Sequence, residues 1–202
     1  MRGLLLALLL SGCSLLSRSQ PVEVRYFSPE PAARAGDTAA DPRATERESA
    51  PAARGTIRLG RIAPSEHLRE EIVRRESPYE IDVYNTRLWT ESPEVYVRRA
   101  LERALFDRRG LEEAVRGAEL TLHVEVTGFE ETLAPRHAGR VQLRYRIESD
   151  RRVVDSGVVT VVRPAPGDDF AAVVAAIGVA LDEATERVAE AVVREAAAQQ
   201  ST

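Results

Sequence analysis

Two stretches of strict alternation between apolar and polar residues limit the folds open to this 202-residue chain. Over positions 120–127 Leu and Val alternate with Thr, His and Glu, and over 141–148 Val, Leu, Tyr and Ile alternate with Gln, Arg and Glu. Successive side chains of a strand point to opposite faces, so each stretch predicts a strand with one buried and one solvated face. Such strands are typical of antiparallel sheets.

Four further segments are predicted to be strands. Valine predominates over 153–162, after a turn at Asp150, and β-branched or aromatic residues recur over 22–27, 57–62 and 81–84. These residue types favour strands over helices. The sequence therefore predicts about five to six strands.

Two segments carry helix signals. Ser92 and Pro93 suit the cap and the first position of a helix that is predicted to end at Gly110. The second helix is predicted to begin after Asp168 or Asp169 and to run to about Ala198. Its apolar stripe has helical spacing and comprises Phe170, Val173, Val174, Ile177, Leu181, Ala184, Val188 and Val192.

The element order β-β-β-α-β-β-β-α predicts an α+β fold with two layers, in which a mixed, mostly antiparallel sheet carries both helices on one face. The body is predicted to span 56–198, with 22–27 as its first strand and 199–202 as a frayed tail. Between them, 28–55 is rich in Ala, Pro and mixed charge and has no large aliphatic residue. We expect this insertion to be disordered, because it cannot bury enough apolar surface to order itself.

The amino terminus has the pattern of a secretory signal: Arg2, a short apolar run, then small residues. Leu10-Ser11-Gly12-Cys13 resembles the bacterial lipobox. The resemblance implies a signal peptide at 1–12, cleavage before Cys13, and a diacylglycerol and an acyl chain on Cys13, with 13–21 as anchor and short tether. An ordinary secreted protein is the alternative. Ser14 after the cysteine favours the outer membrane over the inner one.

Few residues suggest catalysis or cofactor binding. Cys13 is the only cysteine, and the three histidines, at 67, 123 and 137, lack metal-ligand spacing. The adjacent carboxylates at 70–71 and 130–131 are interpreted as surface charge, because neighbouring residues normally point in different directions. The sequence predicts no enzyme, no metal and no cofactor besides the covalent lipid.

A net charge of −4 argues against a nucleic-acid partner, although all 28 basic residues are arginine.

Four residues are candidates for contact with a partner. Arg140, Arg144 and Arg146 fall on the solvated face of one predicted strand, where they could pair with Glu125 or could bind another protein. Trp89 is interpreted as a core residue, with an interface anchor as the alternative.

The order of these features resembles the ABC-type transport auxiliary lipoprotein family, which includes the paraquat-inducible protein C lipoproteins. The matching segments are the lipobox, "VRYFSP", "IVRR" at 72–75, "WTESP" at 89–93 and the alanine-rich last helix. The sequence departs from the family pattern in Leu88, which separates Arg87 from Trp89, and in the long insertion.

The resemblance implies a non-catalytic, periplasmic lipoprotein that works with an Mce-type ABC system moving lipids between the two membranes. Its partners would be the membrane, an Mce-domain protein or another subunit, and copies of itself. The alternative is a structural or regulatory lipoprotein, such as an activator of a peptidoglycan synthase. If 22–27 docks in the sheet, the tether is under ten residues and long reach is lost, which disfavours this alternative.

Overall fold

The structure, a computed structural model, describes residues 22–30 and 55–200. In these ranges it contains eight strands: β1 (Arg25–Phe27), β2 (Thr56–Pro64), β3 (Glu71–Ser77), β4 (Glu80–Trp89), β5 (Glu112–Glu113), β6 (Leu120–Thr132), β7 (Ala138–Ser149) and β8 (Arg152–Pro164). The helices are α1 (Pro93–Glu102), which continues into a π-helical turn over Arg103–Asp107, and α2 (Phe170–Gln200). The predicted signal peptide, Cys13, the tether and most of the predicted insertion lie outside the described residues.

The strands form one mixed sheet in which β6 is central. One edge of β6 pairs antiparallel with β7, which in turn pairs antiparallel with β8. The other edge is shared, because β2 runs parallel to the first half of β6 and β3 runs parallel to its last residues. β4 pairs antiparallel with β3, β1 lies parallel to β4, and β5 lies parallel to β2.

The predicted α+β fold, with its mixed sheet and two helices, is confirmed. The longest ladders, β6–β7 and β7–β8, are antiparallel as expected. The described part has two strands more than the upper predicted number, because β3 lacks regular alternation and β5 has only two residues. The first helix ends earlier than predicted, at Glu102, and its π-helical turn leads to Gly110, which has a positive φ of 67°.

The core lies between the sheet and the two helices. Every predicted stripe residue of α2 is buried except Phe170, which is half-buried, and α2 packs on β7, β8 and α1. Gly139 of β7 sits directly below α2, where an added β-carbon would come within 2.7 Å of the carbonyl carbon of Ala176. The helix backbone therefore lies almost in contact with the sheet backbone at this point.

Asp169 caps α2. It is one of the two residues, Asp168 and Asp169, after which the helix was predicted to begin. Its carboxylate accepts a hydrogen bond of 2.7 Å from the backbone N–H of Ala172, which satisfies one of the free donors of the first turn. Neither helix of the described part has the length and hydropathy that crossing a membrane requires.

The amino-terminal segment docks in the sheet, but its strand is Arg25–Phe27 and not the predicted 22–27. Phe27 pairs with Trp89, and the Phe27 carbonyl accepts a hydrogen bond of 2.9 Å from the N–H of Thr90. The Phe27 ring meets Phe170 of α2 edge-on at 4.7 Å. Glu30 then pairs with arginines on α1 and its continuation. Residues 25–30 are thus part of the folded body.

Candidate docking face

The sheet face opposite the helices is open to solvent in the described part of the chain. It presents alternate side chains of three neighbouring strands, while the residues between them point into the core. The set of exposed or half-buried residues that β6, β7 and β8 contribute to this face comprises His123, Glu125, Gln142, Arg144, Arg146, Ser156, Val158, Thr160 and Val162. We call this set, together with the free edge of β8, the docking face.

A groove of about 550 Å³ crosses the docking face between β2 and β8. Arg61, His123, Arg144, Arg146 and Val158 contribute to its walls. His123 is fixed there, because its Nδ1 accepts a hydrogen bond of 3.1 Å from the backbone N–H of Arg61. The groove combines arginines with an apolar valine, which is a composition suited to a protein partner.

Arg144 and Arg146 are the accessible cations that β7 contributes to the groove. Arg144 Nη1 lies 2.8 Å from Glu125 Oε2, and the arginine side chain remains 62% exposed. Arg146 Nε lies 3.0 Å from Glu148 Oε1. The predicted pairing of Arg144 with Glu125 is confirmed. Since solvent-exposed ion pairs contribute only about 0–1 kcal/mol, either arginine can exchange its carboxylate for one on a partner at little cost.

Arg140 does not belong to the accessible set, although the sequence placed it there. Its Nη1 lies 2.5 Å from Oε1 of Glu130, whose side chain is 0% exposed. Arg75 of β3 binds the same carboxylate with its Nε at 2.7 Å. Arg140 is therefore a structural residue, and the interpretation of Glu130 as surface charge is wrong. Glu130 is buried because β3 and β7 flank it on both sides.

Glu131 is also buried, but on the helix side of the sheet. Its carboxylate accepts a hydrogen bond of 2.5 Å from the Tyr84 hydroxyl, and it contacts the ring of His137. The two adjacent carboxylates thus point in opposite directions, as expected, and the sheet separates them. They do not form an acid–base pair.

Burial raises the pKa of the Tyr84 hydroxyl, and the hydrogen bond to Glu131 raises this pKa further. The folded protein therefore favours the neutral phenol more than the unfolded chain does. The resulting stability is present below the unfolded pKa of about 10 and is lost as the pH rises through the higher folded pKa.

The Tyr84→Phe variant is expected to lose less free energy of unfolding than the wild type above about pH 10. Urea unfolding from pH 7 to 11.5 checks this, in a Cys13→Ser background in which no thiol titrates. The chain has no lysine, so tyrosines dominate the titration in this range. Stability curves that stay parallel up to pH 11.5 would contradict the assignment.

Trp89 lies in the core, which agrees with its primary interpretation and not with a docking role. Its side chain is 1% exposed, and its ring meets Phe129 edge-on at 5.2 Å and Tyr96 at 6.3 Å. No ring surface is left for a partner.

The edge strand β8 is the part of the docking face that sequence reasoning missed. Among the described residues β8 pairs only with β7, and Val158 and Val162 are exposed beside this free edge. A signal was present in the sequence. Over 153–162 valine occurs at both odd and even positions, and since these point to opposite faces of the strand, the valines of one parity must face outwards. A long, apolar free edge is typical of a strand that another chain covers.

No group of three or more His, Cys, Asp or Glu in residues 22–30 and 55–200 could hold a metal ion. The arrangement on the docking face is suited to binding another macromolecule through arginines, valines and a free strand edge.

The protein is of the α+β class and has both helices on one face of a mixed sheet. The other face of the sheet and one edge strand are accessible to solvent. The chain belongs to the ABC-type transport auxiliary lipoprotein component family, whose model matches residues 38–189. A search of the curated proteins gives no match.

Solved structures share the fold. Protein XCC0632 from Xanthomonas campestris superposes with a TM-score of 0.68 at 24% identity, over 75% of this chain and 91% of that one. The hypothetical protein CT253 from Chlamydia trachomatis superposes with a TM-score of 0.53 at 10% identity, over 72% of this chain and 99% of that one. At these identities the likeness concerns the fold alone.

Proposed function

We propose that the protein is a non-catalytic, lipid-anchored subunit of an Mce-type ABC system that moves lipids between the inner and outer membranes. Cys13 carries the diacylglycerol and an acyl chain and holds the body on the periplasmic side of the outer membrane. The docking face then binds an Mce-domain protein, another subunit of the system, or a second copy of the chain. Membership of the transport auxiliary family supports this role.

The docking of β1 in the sheet is the observation that carries the proposal. Because the paired residues of β1 begin at Arg25, only eleven residues, 14–24, separate the folded body from Cys13. Eleven extended residues span about 40 Å at most. A body on so short a tether works close to its membrane, which favours a subunit of a membrane-bound system over an activator that must reach a distant cell-wall enzyme.

The Cys13→Ser variant is expected to lose its fatty acids and to move from the membrane fraction to the soluble fraction. Two or more acyl chains anchor a protein stably, at about 0.8 kcal/mol for each buried methylene, and no other anchor is proposed. Mass spectrometry of the native amino terminus and vesicle flotation measure the two effects. A native protein without fatty acid, or a variant that still floats with membranes, would overturn the anchor.

Affinity purification through the body, followed by identification of the co-purifying proteins, tests the partner. We expect an Mce-domain protein, and we expect the double variant Arg144→Glu, Arg146→Glu to lose it, because carboxylates on the partner would now be repelled. The control is Arg69→Glu, Arg116→Glu, which changes two exposed arginines away from the docking face by the same charge. Recovery of only cell-wall synthases would overturn the proposal.

A further inference from the structure

The turn between β3 and β4 carries an apolar cluster that the docking face does not include. Tyr79 stands at the tip of this hairpin with its side chain 99% exposed. Ile81 and Val83 follow on β4, both exposed and both on the helix-free side, where they lie opposite Arg75 and Val73. Leu133, after the end of β6, is exposed beside them, and its N–H donates to the Arg75 carbonyl at 3.0 Å.

The chain that leads to Cys13 runs towards the same end of the sheet. β1 pairs with the last three residues of β4 and runs parallel to it, so the residues before Arg25 extend along β4 towards the hairpin turn. Val22 and Val24, in this preceding segment, are exposed. From Val22 the remaining eight residues reach about 29 Å at most.

The other end of the body lies too far from Val22 to share the membrane contact. α2 begins beside β1, where Phe170 meets Phe27, and runs the length of the sheet to Gln199, which accepts a hydrogen bond of 3.2 Å from Ser149. Its 31 residues span about 46 Å. A bilayer that holds Cys13 therefore lies nearest to the hairpin end.

We propose that the β3–β4 hairpin rests in the headgroup region of the bilayer that holds Cys13, with Tyr79, Ile81, Val83 and Leu133 against the lipid. The inference rests on the proposed lipid anchor. Tyrosine favours the membrane interface, because its ring is apolar and its hydroxyl remains in contact with water and headgroups. The aliphatic neighbours then bury apolar surface that is exposed to water in the free body.

The charges of the hairpin indicate which lipids it accepts. Arg74 lies 2.5 Å from Asp82 and 3.1 Å from Glu76, so one guanidinium faces two carboxylates. Glu80, next to Tyr79, is exposed and adds a further negative charge, while Arg75 is bound to Glu130. Attraction to anionic headgroups depends on clustered, unpaired basic residues, so the hairpin is expected to contact zwitterionic bilayers at least as well as anionic ones.

The test uses the acylated full-length protein in phosphatidylcholine vesicles with brominated acyl chains. Cys13 is consumed by its lipid, so a fluorescent label on Tyr79→Cys reacts at one site. We expect bromine to quench this label about twofold more strongly than a label on Val115→Cys, because only a probe at the interface lies within about 10 Å of the acyl chains. Val115 is a matched control, 82% exposed in the loop between β5 and β6 at the opposite end of the sheet.

A second variant tests the cluster without a label on the hairpin tip. With the label on Leu133→Cys, the changes Tyr79→Ser and Ile81→Ser are expected to reduce quenching to the level of the Val115 control. Thermal unfolding verifies that both proteins are folded. Quenching that does not increase when anionic lipid is added supports an apolar contact.

Each result separates this inference from the proposed function. A protein that is acylated and floats with vesicles, yet shows equal quenching at 79 and 115, overturns the hairpin contact and leaves the anchor intact. A protein without acyl chains overturns the anchor and, with it, the hairpin contact. Cross-linking of position 79 to a protein in cells, together with an unquenched label on vesicles, assigns the hairpin to a protein partner instead.

Discussion

The Glu130→Gln variant is expected to lose about 3 kcal/mol of unfolding free energy, the lower end of the range for breaking a buried ion pair. Glutamine keeps the shape of the side chain but cannot neutralise Arg75 and Arg140, which converge on the fully buried carboxylate at 2.7 and 2.5 Å. Both guanidinium groups are mostly buried, so water replaces the lost charge only in part. Urea unfolding of the two proteins measures the difference.

Glu125→Gln is the matched control for this experiment. Glu125 lies on the same strand and the same face and also pairs with an arginine of β7, but both partners are exposed. We expect this variant to lose less than about 1 kcal/mol, and the loss to shrink in high salt. Equal losses for Glu130→Gln and Glu125→Gln would show that the Glu130 cluster is no more buried than an ordinary surface pair.

The Gly139→Ala variant is expected to lose about 3 kcal/mol, because the new methyl group forces α2 away from the sheet. The obstacle is helix backbone, with the Ala176 carbonyl carbon 2.7 Å from the added β-carbon and the Ile177 amide nitrogen closer still. Backbone cannot move aside as a flexible side chain can. Urea unfolding gives the size of the effect, and hydrogen exchange along α2 locates it.

Gly167→Ala makes the same substitution where there is room for it. An added β-carbon there meets only the Ala172 methyl, at an ordinary 3.6 Å. We expect a neutral effect or a gain of about 0.5 kcal/mol, since alanine reduces the conformational freedom of the unfolded chain. A gain for Gly139→Ala as well would mean that α2 lies farther from β7 than the structure places it.

Local patterns were sufficient to predict β6, β7 and α2. Alternation along a strand and an apolar stripe along a helix are properties of adjacent residues, and they reflect which face is buried. The cap of α2 at Asp169 could be predicted for the same reason, because a capping side chain acts on the turn that follows it.

The parts that could not be predicted depend on contacts between distant residues. β3 is a strand because it lies parallel to the end of β6, and its own sequence places Ile72 beside Val73 and Arg74 beside Arg75, without alternation. The burial of Glu130 follows from the same contact. One local signal existed in the sequence, since the alternation of apolar and polar residues stops after Thr127. In the structure all residues from Gly128 to Thr132 are buried.

The candidate site was predicted in part. Arg144, Arg146 and the pairing with Glu125 follow from the position of each residue on an alternating strand. Arg140 occupies the same kind of alternating position as Arg144 and Arg146, and only the neighbouring β3 distinguishes it from them. The exposed Val158 depends on β8 being an edge strand, and the order of strands in a sheet is not contained in the sequence of one strand.

The way in which β1 is held determines how the body responds to mechanical load. A pull on Cys13 reaches the sheet at Arg25, the first residue of β1, and a pull along the strand axis loads the three residue pairs with β4 together in shear and not one after another. After β1, the Pro29 carbonyl lies against Gly178, and Glu30 forms ion pairs with Arg99 and Arg103. If these contacts break, the attachment of the body to Cys13 shifts from Arg25 to Thr56, and the fully extended length of the intervening chain sets an upper limit of roughly 140 Å on its reach.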